Sequence, residues 1–373
     1  MFFFSFVSLS TKFSSTNMLR SLQIVRSRVN PKVHLVASTP AYFHSSAFVS
    51  AGRKVVATRK LLPTSQKRLE QQGFELIQWP KDSSMPRETL LRDIKGAEGL
   101  ICMLSDKIDK QVLDAAGPEL KVVSTMSVGY DHIDLKAAKE NNVKIGYTPD
   151  VLTDATADLT VLLTLAAARK MKTGVRAAET GEWREWRPDW LCGYQFKGKT
   201  LGVVGIGRIG QAVASRLKAF GIDRVVYWGR SEKPELKESL NADFVSFDEL
   251  TASSDFIVAC CALTPETKEV FNYEAFKNMK KNAIFVNTAR GGVVDQDGLV
   301  KALQENLIAG AGLDVTTPEP LPTDHPLFKL DNCVILPHIG SATIEARETM
   351  GDMCVDNVLA ALENKEIPFG LKY

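Results

Sequence analysis

The chain has 373 residues, of which 45% are apolar and 24% charged, with 46 basic against 44 acidic side chains. That length suggests two domains, and the composition excludes a collagen-like, low-complexity or disulfide-scaffold protein. No stretch reaches ~18 apolar residues, so no spanning helix and no membrane partner is expected, and the near-neutral charge argues against nucleic acid as the main ligand.

The charge is unevenly placed along the chain. Residues 1–53 carry Lys12, Arg20, Arg26, Arg28, Lys32 and Arg53 but no acid, and the first acidic residue is Glu70. The remainder holds 40 basic and 44 acidic residues, a net of −4. An Arg- and Ser-rich, acid-free leader has the composition of an organelle transit peptide, which anionic lipid and a negative-inside potential attract. Met1–Ser10 is apolar but lacks the basic start of a secretory signal, and Met18-Leu19-Arg20-Ser21 offers an alternative start. A mitochondrial location is therefore expected, with a cytosolic one as the alternative. The six cysteines (Cys102, Cys192, Cys260, Cys261, Cys333, Cys354) form no C-x-x-C pair and have no His partner at metal spacing. They read as buried free thiols in a reducing compartment, and no metal site is expected.

From Lys54 onward, short apolar runs alternate with helical segments. Strands are expected at Lys54–Thr58, Phe74–Ile77, Gly99–Leu104, Lys121–Ser124 and Val143–Ile145. Helices are expected at Ser65–Gln72, Arg87–Ile94 and Val112–Ala116. Such alternation predicts a parallel sheet covered on both faces, spanning about 54–149. Tyr147-Thr148-Pro149-Asp150 interrupts the pattern, and a long helix from Asp154 to about Met171 follows, capped by Thr153 or Asp154. The segment 183–190 holds Trp183, Trp186 and Trp190. A second βα series then begins at Thr200–Val204. Its further strands are expected near Arg224–Trp228, Phe244–Val245, Asp255–Ala259, Ala283–Asn287, Ala309–Leu313 and Cys333–Leu336, with a last helix at about Ala342–Glu363.

Val203-Val204-Gly205-Ile206-Gly207-Arg208-Ile209-Gly210 follows an apolar strand and opens a helix over Gln211–Phe220. This is G-x-G-x-x-G in the context it requires. Gly205 permits the turn, Gly207 lets a pyrophosphate approach the backbone, and Gly210 lets helix and strand pack closely. Free amides at the helix start then hold phosphates. An NAD site usually places an Asp or Glu after the second strand, about 20 residues on, to accept from the ribose hydroxyls. Here Val225-Val226-Tyr227-Trp228 is followed by Gly229-Arg230-Ser231-Glu232-Lys233. Arg230 and Lys233 suit a 2′-phosphate, which a carboxylate would repel. NADPH/NADP is therefore the expected cofactor, ahead of NAD.

Three residues downstream suit hydride transfer. Asn287-Thr288-Ala289-Arg290 ends a strand, and ligands of open α/β sheets bind at the carboxyl ends of strands. Arg290 there can clamp the carboxylate of a 2-oxo acid and polarise its carbonyl. Thr317-Pro318-Glu319-Pro320-Leu321-Pro322 holds Glu319 among three prolines. Leu336-Pro337-His338-Ile339-Gly340-Ser341 follows the last strand. Reducing a ketone needs a proton donor as hydride arrives, a task His performs near neutral pH, and a carboxylate beside it stabilises the charged imidazole. His34, His44, His132 and His325 read as non-catalytic.

Val-Gly-Ile-Gly-Arg-Ile-Gly, Asn-Thr-Ala-Arg-Gly, Pro-Glu-Pro-Leu-Pro and Leu-Pro-His-Ile-Gly-Ser-Ala-Thr together resemble the D-2-hydroxyacid dehydrogenase family. Within it the chain closely resembles the glyoxylate/hydroxypyruvate reductases, and the match runs from about Lys54 to the C-terminus. It also takes in Leu104-Ser105-Asp106, the run from Ser124 to Gly129, the run from Tyr147 to Asp154, and Trp190-Leu191-Cys192-Gly193-Tyr194. The resemblance implies two Rossmann-like α/β domains. A cofactor domain (150–337) is inserted into a discontinuous flavodoxin-like substrate domain (54–149 and 338–373). It implies NADPH-dependent reduction of glyoxylate to glycolate and of hydroxypyruvate to D-glycerate. His338 would be the proton donor, Glu319 its partner and Arg290 the carboxylate clamp. Val128 and Gly129 would cradle the carboxylate, with Asp314 and Ser341 beside the site. Gly205, Gly207, Arg208, Ile209, Gly210, Arg230, Ser231, Lys233, Thr288, Arg290 and Gly340 would contact the cofactor. The resemblance further implies a homodimer formed through the Trp-bearing arm, with Trp186 reaching towards the partner's site. Ala262, Gly292 and Tyr130 depart from the usual pattern, though none removes a catalytic group. A dinucleotide-sensing corepressor of the same fold is the alternative; it would carry an NAD-type acid where Arg230 stands.

Overall fold

A computed structural model describes residues 53–372 of the chain. The expected leader falls outside the described residues except for Arg53. That residue is not free: its guanidinium reaches both carboxylate oxygens of Glu98 at 3.1 Å and donates to the Leu362 carbonyl.

The β-branched run Val55-Val56 starts the first sheet, since such side chains suit a pleated surface buried on both sides. Its strands are β1 (Lys54–Ala57), β2 (Glu75–Gln78), β3 (Gly99–Cys102), β4 (Val122–Thr125) and β5 (Lys144–Gly146). All pair in parallel, in the order β2-β1-β3-β4-β5, which is the flavodoxin-like order. One face packs against the helices Arg87–Asp93, Lys110–Ala116 and Leu135–Glu140 through Leu90, Val112, Leu113 and Ala137. The other is covered by Pro63–Gln71 and by the final helix Ile344–Leu362, through Leu69, Met350, Val355 and Val358. The last helix of the chain thus completes the first sheet.

Buried Asn357 fixes that return. Its amide nitrogen donates to the Ser124 hydroxyl at 3.2 Å and the Tyr147 carbonyl at 3.4 Å, and its oxygen accepts from the Phe369 amide at 3.0 Å. A Cβ on Gly146 would come within 2.5 Å of the Asn357 amide nitrogen, so only glycine fits there.

The second sheet holds β6 (Thr200–Val204), β7 (Arg224–Trp228), β8 (Ala242–Phe244), β9 (Phe256–Ala259), β10 (Ile284–Asn287), β11 (Gly310–Leu313) and β12 (Cys333–Ile335). They run parallel in the order β12-β11-β10-β9-β6-β7-β8, the doubly wound dinucleotide-binding order, whose switch point lies between β6 and β9. Helices Thr153–Ala168 and Arg208–Ala219 cover one face. Phe247–Ser253, Tyr273–Asn278 and Gln296–Gln304 cover the other.

Some local expectations differ from the structure. The long helix begins after Leu152 with no side-chain cap, and Asp154 lies in its first turn, paired with Arg216 at 2.7 Å. The helix stops at Ala168, because Lys170 takes a left-handed turn (φ 53°) before a separate helix, Met171–Thr180. All six cysteines are free, but Cys192 is exposed, being on the arm rather than in a strand.

Candidate active site

The glycine loop lies at the switch point. Gly205 takes φ +90°, and a Cβ there would meet the Cys261 backbone at 2.5 Å, where the chain leaves β9. Gly210 is pressed against the Gly205 carbonyl, 2.5 Å from where its Cβ would stand. Gly207 is different: a Cβ there would meet nothing within 4 Å, so this glycine keeps clear the space above the helix start. The Gly207, Arg208 and Ile209 amides donate to no group among the described residues. A tight turn, a cleared approach and unspent amides at a helix N-terminus fit the phosphates of a dinucleotide.

The loop after β7 is held from below. Buried Tyr227 accepts the Lys233 amide on its hydroxyl at 2.7 Å, leaving Arg230 and Ser231 exposed at its tip. Arg208 pairs with Asp150 at 2.5 Å, linking the helix start to the segment that leaves the first sheet. Thr288 shares a 2.8 Å hydrogen bond with Thr160.

His338 and Glu319 meet. His338 Nδ1 lies 2.6 Å from Glu319 Oε2, while Glu319 Oε1 accepts from the Thr316 amide at 3.0 Å. Gln296 braces this loop by donating to the Thr317 carbonyl at 2.6 Å and accepting its amide at 2.9 Å. With Nδ1 turned to the carboxylate, Nε2 remains for a substrate oxygen.

Asp314 sets the backbone under His338. It is 2% exposed. Its carboxylate accepts the Ile339 and Gly340 amides, each at 2.8 Å, and its carbonyl accepts the His338 amide at 2.8 Å. His338 holds φ +52°, a left-handed conformation uncommon for a non-glycine residue, and these bonds maintain it. Burial raises the Asp314 carboxyl above the usual carboxylate range, against the opposing pull of the two amides and of His338. The Gly340 amide is thereby committed to Asp314. Ser341 is half-buried alongside.

Arg290 lies directly over Gly129: a Cβ on that glycine would be 1.8 Å from Arg290 Nη2. Its Nε donates to Asp131 at 3.0 Å and its Nη1 to the Ala289 carbonyl at 2.8 Å. The Nη2 donors remain, next to Val128 and Gly129, whose own amides have no partner among the described residues. Two unspent amides and a fixed guanidinium edge form a cradle for a carboxylate. Gly291 is closely packed, because a Cβ there would stand 2.0 Å from the Thr316 carbonyl. Tyr130 turns edge-on to Tyr147 with ring centres 6.3 Å apart. Trp186, 82% exposed on the arm, is not brought to this site within the chain.

Sequence reasoning did not single out Asp131, Thr160, Gln296, Thr316 or Arg347. Arg347 is half-buried near Asp314, and burial lowers its guanidinium below the ordinary value. Asp131 stands two residues past the cradle glycine, a proximity that was available as a signal. Gln296 acts through a pairing across loops that no spacing discloses, whereas the Thr316 amide meets Glu319 only three residues on.

The chain matches the family model described as D-isomer specific 2-hydroxyacid dehydrogenase, NAD binding domain, over residues 161–340. It is 50% identical over 320 residues to glyoxylate reductase/hydroxypyruvate reductase of Homo sapiens, covering 86% of this chain and 98% of the human protein. It is 46% identical over 319 residues to glyoxylate reductase of Pyrococcus horikoshii, covering 84% of this chain and 94% of that protein. Among solved structures it resembles a protein from Thermus thermophilus at 46% identity and a TM-score of 0.79, covering 86% of this chain and all of that one (100%). It also resembles an NADPH-dependent glyoxylate/hydroxypyruvate reductase from Sinorhizobium meliloti, solved with NADP and malonate, at 28% identity and a TM-score of 0.73, covering 86% of this chain and 96% of that one. With this coverage and identity, and with both sheets and the glycine loop in place, the chain belongs to the D-isomer-specific 2-hydroxyacid dehydrogenase family.

Proposed function

We propose that the chain reduces glyoxylate to glycolate and hydroxypyruvate to D-glycerate, using NADPH. The observation that carries the proposal is the His338–Glu319 pair together with the Arg290–Gly129 cradle, whose loops meet where Gly291 packs on the Thr316 carbonyl. The human relative's name supports the choice of substrates. When bound, the nicotinamide supplies the hydride that forms the new C–H bond at the 2-keto carbon. Val128, Gly129 and Arg290 hold the substrate carboxylate and fix the keto group. His338 gives its Nε2 proton to the keto oxygen as negative charge develops there, and Glu319 stabilises the imidazolium beforehand. Gly205, Gly207, Ile209 and Gly210 shape the phosphate site, with Arg208, Thr288 and Gly340 at its margins. Exposed Arg230, with Ser231 and Lys233, favours the 2′-phosphate of NADPH. The corepressor alternative has no support here, since Arg230 occupies the place its acid would take.

Initial rates of the full chain on glyoxylate, hydroxypyruvate and pyruvate with each nicotinamide test this reading. The expected result is turnover of the first two with preference for NADPH, reduced about 10²- to 10⁴-fold in His338→Ala. Undiminished turnover in that variant would remove His338 from the chemistry.

Two further elements belong to the same proposal. Leu162, Met171, Val175, Trp183 and Trp186 expose apolar surface, which we assign to a homodimer interface; solution mass tests it. The acid-free leader directs the chain to mitochondria, which a fluorescent fusion of residues 1–53 tests against a cytosolic distribution.

A further inference from the structure

Behind the cradle is a chain of hydrogen bonds that the chemistry above does not use. Ser127 Oγ donates to the Gly129 carbonyl at 2.6 Å. Ser127 Oγ also lies 2.9 Å from Thr125 Oγ1, which lies 2.9 Å from His132 Nε2. Thr125 and Ser127 are buried, and His132 Nδ1 is a buried atom with no partner among the described residues.

Counting protons sets the direction of the chain. A hydroxyl has one proton to donate. The Ser127 proton goes to the Gly129 carbonyl, so Ser127 accepts from Thr125. The Thr125 proton is then spent, so Thr125 accepts from His132. His132 must carry its proton on Nε2 and leave Nδ1 bare.

We propose that His132 is a positioning residue for substrate binding: as a neutral Nε2–H imidazole it orders Thr125 and Ser127, and so fixes the Gly129 peptide beneath Arg290. The inference rests on the reading that Val128 and Gly129 take the substrate carboxylate. The groups facing His132 are Asp131 and Asp106, which favour its charged form, and Arg290, which opposes it; burial outweighs them and pushes the imidazole down to about 4. The same short segment supplies Asp131 to Arg290. Both walls of the cradle are therefore set from residues 125–132. His132 touches no substrate, and its effect passes through the Thr125 and Ser127 hydroxyls to the Gly129 backbone.

The test uses the full chain. Nitrogen-15 shifts of the His132 ring at pH 7 should show a neutral imidazole protonated on Nε2; an Nδ1–H tautomer or an imidazolium would overturn the proposal. In kinetics, His132→Ala and Ser127→Ala should each raise the KM for glyoxylate about tenfold, as expected for one lost hydrogen bond, with kcat and NADPH affinity changed far less. The double variant should be no worse than the worse single one, because both cut the same chain. His132→Gln, whose amide nitrogen can occupy the Nε2 position, should restore the KM. Unchanged KM in folded Ser127→Ala, additive losses, or a Gln variant as poor as Ala would each refute it. An unmodified chain that fails to turn over glyoxylate defeats the functional reading instead, and the ring shifts then decide the relay independently.

Discussion

A histidine that folds neutral must cost stability in acid, and His132 makes that cost measurable. Its imidazole falls from 6.5 to about 4 because burial disfavours the charged form. The folded value lies below the unfolded one, so the unfolded chain takes up the proton first. The contribution to stability is therefore complete above about pH 6.5 and is lost as the pH falls towards 4. Linkage gives a loss of about 1 kcal/mol by pH 5.5 and about 2 kcal/mol by pH 5.0, relative to pH 7.5. Other titrating groups change stability over the same interval, but they cancel when the chain is compared with His132→Gln, which keeps the donor and cannot take up a proton. Urea unfolding of both proteins at pH 7.5, 6.5, 5.5 and 5.0, followed by tryptophan fluorescence, reads the difference. The variant should match the parent at pH 7.5 and exceed it by about 2 kcal/mol at pH 5.0. A gap that stays constant from pH 7.5 to 5.0 would show that His132 titrates normally and that its burial does not govern its charge.

Two glycines of the loop should separate binding from folding. Gly207→Ala, whose new methyl enters open space, should leave thermal stability nearly unchanged while weakening NADPH binding in a fluorescence titration. Gly210→Ala, pressed against the Gly205 carbonyl, should lower stability by about 1–3 kcal/mol. Arg230→Ala should weaken NADPH about 10- to 100-fold, the worth of charge-assisted hydrogen bonds, and leave NADH nearly unaffected; equal losses for both would place Arg230 away from the 2′ position. Asn357→Leu strands the Phe369 amide and the Tyr147 carbonyl, and should cost about 2–4 kcal/mol in denaturant unfolding.

The fold was legible because both sheets are parallel and covered on two faces, so their strands read as continuous apolar runs such as Val225-Val226-Tyr227. The edge strand β8 is displaced, expected near Phe244–Val245 and found at Ala242–Phe244, since an edge carries a weaker pattern. The helix Leu135–Glu140 has no counterpart among the expected elements; it is short and capped by Asp134, with only Ala137 and Ala138 fully buried. At the site, His338, Glu319, Arg290 and the glycines announced themselves through local chemistry. The residues that hold them did not. Gln296 finds Thr317, Thr160 finds Thr288 and Asp131 finds Arg290 only through tertiary approach, and a polar side chain carries no mark of the partner it will meet. His132 illustrates the point: a lone histidine near a strand end reads as structural, and only the directed chain of hydroxyls shows what it supports.

The return of the final helix bears on how the chain is made. The first sheet ends at Gly146, yet one of its faces is closed by Ile344–Leu362, and Arg53 at its start is anchored to the Leu362 carbonyl. Synthesis at 5–20 residues per second separates these two events by about 200 residues, or roughly 10–40 seconds. During that interval Val55, Ile101 and Val122 lack the apolar partners they have in the finished protein, while the second sheet, contiguous in sequence, can close as soon as it emerges. The order of maturation on the ribosome is therefore the reverse of the order of the chain. The half synthesised first is the one that waits, and it needs protection from aggregation until the last helix arrives.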